Sequence, residues 1–120
     1  VYWFSVKVNG LKYTCQAPNP FPLYEWVHVA GVVDAGASVM RLYLNGQEVA
    51  SASIPNGGTI QEASAPLIIG KSNVDTYSGI FLINALNAAI DETKIYDIAK
   101  SGTAISSAYQ ALVANIPTSG

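Results

Sequence analysis

The chain has 120 residues, 50% of them hydrophobic and only 12% charged, which suits one packed domain and is too apolar for a disordered segment. A net charge of −2, with six Lys plus Arg, leaves no basic stripe for a phosphate backbone and excludes nucleic acid as the expected partner. No apolar run approaches the ~20 residues of a membrane helix, so no membrane insertion is expected, and the single cysteine, Cys15, excludes an internal disulfide and any multi-cysteine zinc site.

The first element is a hairpin. "YWFSVKVNGLKYTCQ" alternates on both sides of Asn9-Gly10, a pair that tolerates positive φ at both positions of a two-residue type I′ turn. That turn sets Val8 opposite Leu11, Val6 opposite Tyr13 and Phe4 opposite Cys15. One face is then apolar, and the other carries Trp3, Ser5, Lys7, Lys12, Thr14 and Gln16. Cys15 falls on the apolar face, as a buried, inert thiol.

"APNPFP" (17–22) is a proline-rich loop. The following strand runs from Trp26, with Val27, Val29 and Val33 alternating against Trp26, His28 and Ala30, and it is apolar enough to be covered on both faces. "DAGAS" (34–38) turns the chain. Met40, Leu42 and Leu44 then point one way and Arg41 and Tyr43 the other, up to an Asn45-Gly46 turn whose return strand sets Val49 opposite Leu42 and Glu48 opposite Tyr43. "PNGGT" (55–59) breaks the pattern, "PLIIG" (66–70) reads as a short buried strand and "KSNVDTYSG" (71–79) as a loop. "IFLINALNAAIDETKIYDIA" supplies one or two further strands. After it the period changes: Ile105, Tyr109, Leu112, Val113 and Ile116 follow helical spacing, Ser101 or Thr103 can cap, and Pro117 stops the helix, which is expected near 103–114.

About eight short strands and one late helix predict an all-β protein: an antiparallel two-sheet jelly-roll sandwich with a short C-terminal helix. It is read as a single domain over residues 1–116 with a tail at 117–120.

Three stretches resemble the laminin-G-like branch of the concanavalin A-like lectin/glucanase superfamily. "WVHVAGVVDAGASVMRLYLNGQEVASA" is similar to its Trp-His-His-Val-Ala strand and Leu-Tyr-x-Asp/Asn-Gly hairpin, "PLIIGKS" to its Leu-x-Ile-Gly strand, and "AAIDETKIYDIAKSGTAISSAYQ" to its Gly-x-Ile-Asp-Glu-Val-x-Ile-Tyr segment and terminal helix. Order and spacing match over residues 24–110. Val27 replaces the first His of the pair, Ala88 stands where Gly is usual and Thr93 replaces Val. Such domains are longer than this chain, and the strands that normally precede "VYWFSV" are expected from another chain segment or a second subunit that completes the sandwich.

The resemblance implies a lectin-like, extracellular module at a cell or virion surface that binds a glycan or a surface protein. Glycosidases of this fold set two carboxylates about 5 Å apart on one strand face, whereas Asp91 and Glu92 of "IDET" would lie on opposite faces, so no catalytic residue is assigned. His28, mid-strand between valines, reads as a structural histidine with Trp26 packed on its face. By resemblance Asp91 is the carboxylate for a calcium ion, the alternative being that it only accepts hydrogen bonds from adjacent backbone amides. For sugar recognition, loop 71–79 offers Asn73, Asp75 and Tyr77, and Trp3 projects from the polar face of the first hairpin. The expected function is non-catalytic carbohydrate binding or adhesion, with two alternatives: a decoration domain that packs against other proteins, or a hydrolase fragment lacking its catalytic strand.

Overall fold

The computed structural model describes residues 2–60, 76–77, 80–81 and 89–115. They belong to two compact units, residues 1–61 with 96–120, and residues 62–95.

The first unit is built in three layers. Strands β1 (Trp3–Val8) and β2 (Leu11–Gln16) form an antiparallel hairpin in the expected register, Phe4 opposite Cys15, Val6 opposite Tyr13 and Val8 opposite Leu11. Asn9 (φ 52°) and Gly10 (φ 82°) occupy the left-handed region that the type I′ turn demands. The middle layer is an antiparallel sheet of β3 (Val29–Asp34), β4 (Val39–Leu44) and β5 (Gln47–Ser53) in that order. The hairpin covers one face of this sheet, where Val8, Cys15, Ala17, Met40, Leu42 and Ile54 are buried together. On the other face Val32 and Tyr43 are buried with Ile105 of helix α1 (Gly102–Asn115). Alternation along β4 thus serves two cores at once, which is why Met40 and Leu42 belong to the first and Tyr43 to the second. The architecture is the all-β antiparallel sandwich with one C-terminal helix that the strand pattern implied.

Several local expectations need correction. The third strand begins at Val29, not Trp26. Residues 26–28 precede the ladder: the His28 amide donates to Asn45 Oδ1 (2.9 Å) and the Asn45 amide to the His28 carbonyl (2.8 Å). Trp26 is 63% exposed and Val29 46%, so Trp26 is not packed as expected, and coverage on both faces begins at Ala30, with Ala30 and Val32 on the helix side and Gly31, under the Phe4 ring, and Val33 on the hairpin side. Glu48 does face Tyr43, but Leu42 pairs with Ala50, because a bulge between Leu42 and Tyr43 leaves Val49 as the extra residue. Val49 and Ala50 therefore both lean on the hairpin-side core.

Helix α1 starts where expected, with Ser101 Oγ accepting from the Ala104 amide (3.1 Å) as an N-cap. Ile105 is its buried anchor, whereas Val113 is 42% exposed, and Ile116 lies outside the described residues.

In the second unit, β6 (Thr76–Tyr77) pairs antiparallel with β7 (Ile80–Phe81), so Tyr77 sits on a short strand, not in a loop. The strand expected at 66–70 lies outside the described residues. Residues 89–95 are irregular, because Glu92 adopts a left-handed conformation (φ 56°) that breaks an extended run. Asp91 and Glu92 are consequently not placed on alternate faces of a ladder. No helix among the described residues is long and apolar enough to cross a membrane.

Candidate functional site

The hairpin's register decides what it shows to solvent. With Phe4, Val6, Val8, Tyr13 and Cys15 committed to the core, the outward face consists of three cross-strand rungs: Trp3 with Gln16, Ser5 with Thr14, and Lys7 with Lys12. Trp3 is 61% exposed, and Lys7, Lys12, Thr14 and Gln16 are exposed too. The Ser5 and Thr14 hydroxyls join across the middle rung at 2.7 Å.

This face is held from beneath and at both ends. Val8 and Cys15 are buried on the inner side. At the turn, the Asn9 amide donates to the Thr59 carbonyl (3.0 Å), and the Thr59 amide to Asn9 Oδ1 (3.1 Å). At the open end the Ala17 amide donates to the Tyr2 carbonyl (2.9 Å), and Tyr2 meets Phe21 edge to face at 5.1 Å. A solvent-facing indole beside a planar amide and a hydroxyl pair, on a platform fixed at both ends, can stack a flat apolar ring face and donate and accept hydrogen bonds around its rim.

Several other polar groups of the first unit are engaged structurally. Arg41 reaches Glu48 (Nε to Oε1, 3.0 Å) and Asp34 (Nη1 to Oδ2, 3.6 Å), each side chain about a third exposed or more. Two carboxylates meet here, but they meet around a cation, which suits register and not acid–base chemistry. Diagonal placement of Glu48 and Asp34 beside Arg41 follows from the strand pairing, so sequence reading could have found this cluster. His28 is half-buried, its ring 6.1 Å from that of Tyr109, in keeping with a structural role. For Cys15, burial pushes the thiol above its ordinary pKa, reinforced by the Glu48 charge and opposed by backbone hydrogen bonding at Phe4.

Of the residues expected to bind sugar, Asn73 and Asp75 lie outside the described residues, and Tyr77 is placed by its backbone in β6. Asp91 is exposed, and its Oδ1 accepts the Glu92 amide at 2.8 Å. Calcium takes 6–8 oxygens. Asp91 supplies one carboxylate, and among the described residues no three His, Cys, Asp or Glu side chains cluster. Trp3 projects from this face as expected, whereas Lys7 and Lys12 had no expected site role. Their signal was present in the hairpin register, but only the buried inner face shows that the outer one is committed to solvent.

Exposed apolar side chains gather in the segment between β2 and β3, where Leu23 is 71% exposed, Trp26 63%, and Tyr24 fully so at a positive φ of 63°. A left-handed tyrosine is a strained conformation that a packed core would not require.

A laminin-G-type family described as the concanavalin A-like lectin/glucanases superfamily matches residues 1–106. Among solved structures, the chain is similar to an S-layer domain-containing protein (residues 221–444) from Clostridium thermocellum ATCC 27405, with 26% identity and a TM-score of 0.57. The match covers 82% of this chain and 45% of that one, so the chain spans less than half of its structural relative. No curated protein matches the chain.

Proposed function

Because the chain belongs to the laminin-G-type family of the concanavalin A-like lectin/glucanases superfamily, we propose that it is a non-catalytic carbohydrate-binding or adhesion module of a secreted or surface protein. Family and S-layer neighbour support a surface or adhesion-type module. The observation that carries sugar binding is the outward hairpin face, where exposed Trp3 stands opposite Gln16 above a buried inner layer. Such a face excludes little water until a ring is laid on it, and stacking on an indole requires no reorganisation of the strand. Asn73, Asp75 and Tyr77 belong to the proposal as a second sugar-binding element, and Asp91 as its calcium ligand.

The test is a glycan array probed with the chain, with Trp3→Ala, with Tyr77→Ala and with chelator present. Binding abolished by Trp3→Ala assigns the hairpin face, whereas binding lost with Tyr77→Ala or with chelator assigns the other element. Unchanged binding in both variants and with chelator present removes both assignments.

A second reading has its own observation. Leu23, Tyr24 and Trp26 present apolar surface on a single loop, the kind of feature by which a decoration domain packs against another protein. A chain that binds no glycan, and whose Trp26→Ala variant loses association with its parent assembly, fits that reading.

A further inference from the structure

The third rung of the outward face adds a ligand class. Lys7 and Lys12 are direct cross-strand partners. In a two-residue hairpin the pair flanking the turn exchanges the hydrogen bonds, so the next pair out is the non-hydrogen-bonded kind, whose side chains lie closest, about 5 Å apart at Cβ. Like charges so placed destabilise a hairpin. The chain has only six Lys plus Arg and a net charge of −2, yet two of the six share this one rung. Neither makes a salt bridge among the described residues; the ion pairs there belong to Arg41, with Asp34 and Glu48. No acid stands among Trp3, Ser5, Lys7, Lys12, Thr14 and Gln16, so the face is uniformly positive where it is charged at all.

We infer that the outward face of β1 and β2 takes an acidic polysaccharide, with Trp3 against one sugar ring and the Lys7 and Lys12 ammonium groups jointly holding a carboxylate or sulfate further along the same chain. The inference rests on the glycan-binding reading above and narrows it. Two residues of antiparallel strand advance about 7 Å, so the indole and the lysine rung stand about 14 Å apart, a span that calls for an oligosaccharide and not a single sugar. Two adjacent ammonium groups receive one anion with several charge-assisted hydrogen bonds, and the anion relieves their mutual repulsion.

The experiment measures binding of the chain to polygalacturonate, to dextran sulfate, to neutral dextran and to double-stranded DNA at low salt. Binding to one or both acidic polysaccharides and not to neutral dextran or DNA is expected, and which of the two binds separates carboxylate from sulfate as the anion. Lys7→Gln with Lys12→Gln weakens that binding about tenfold, on the order expected of two solvent-exposed charge contacts, as does raising salt toward 1 M. Lys7→Glu reads in opposite directions: it abolishes binding while raising Tm, because it turns a repulsive rung into an attractive one, and this excludes misfolding as the cause of the loss. Trp3→Ala weakens binding with Tm unchanged. Equal binding of neutral dextran overturns the inference and leaves the glycan-binding reading intact. Equal binding of DNA overturns it in favour of bare charge attraction, and absence of binding to any glycan sinks the inference and the glycan-binding reading together.

Discussion

Asn45 carries the sharpest stability test, because one side chain does two separable jobs. It holds the left-handed conformation (φ 50°) that opens the β4–β5 turn, and its Oδ1 accepts the part-buried His28 amide at 2.9 Å. Asn45→Ala removes both. A β-carbon without a polar partner in the left-handed region costs about 1 kcal/mol, and loss of an acceptor from a partly buried amide about 1 kcal/mol more. The sum, about 2 kcal/mol, is a large share of a typical stability of 5–15 kcal/mol. For a chain of this size it lowers Tm by roughly 8 °C. Asn45→Asp keeps the left-handed tolerance and the acceptor, so its loss stays below about 0.5 kcal/mol. Denaturant unfolding of both variants, with hydrogen exchange at the His28 amide, makes the comparison: exchange accelerates in the Ala variant and not in the Asp variant. Equal destabilisation by Ala and Asp, or an unaltered His28 amide in Asn45→Ala, refutes the assignment.

Three further outcomes follow from the same packing. Gly10 and Gly46 share a left-handed φ, but a Cβ at Gly10 meets nothing within 4 Å, whereas at Gly46 it stands 3.1 Å from Ser106 Cα and 3.2 Å from Tyr109 Cδ2. Gly10→Ala therefore costs about 1 kcal/mol and Gly46→Ala about 3 kcal/mol by denaturant midpoint, the excess reporting displacement of the helix from the turn. Ser101→Ala removes the cap on Ala104 and costs about 1 kcal/mol, read as a lower Tm, whereas Ser101→Asp restores it. Cys15 is only 3% exposed and its thiol is held above the ordinary pKa, so it stays unreactive toward a thiol reagent until denaturant is added. Above the ordinary thiol range the unfolded chain loses this proton first. The stability linked to Cys15 is then fully present below that range and declines as pH rises through the folded value, a slope that Cys15→Ala removes.

Local pattern was legible wherever a turn fixed its own register. Asn9-Gly10 sits between two alternating runs, and every pairing inferred from it is the one observed. At Asn45-Gly46 the same reasoning gave Glu48 opposite Tyr43 but failed at Val49, because a bulge responds to how two layers pack and leaves no mark in the alternation of one strand. "IDETKIY" alternates as a strand should, yet Glu92 takes a left-handed backbone that side-chain spacing does not report. Trp26 shows the limit of hydrophobicity as a guide: an aromatic next to a valine-rich strand reads as core, but the ladder starts three residues later and leaves it in solvent.

The sequence by itself determined the all-β class, the first hairpin and its two-sided character, and the capped final helix, since each depends on contacts within about fifteen residues. Tertiary structure alone decided that the three-stranded sheet has a core on each face, and that Trp3 and the lysine rung remain uncovered. Alternation states that a strand has two faces. Which face is buried depends on the element packed against it, and that partner lies too far along the chain for periodicity to name.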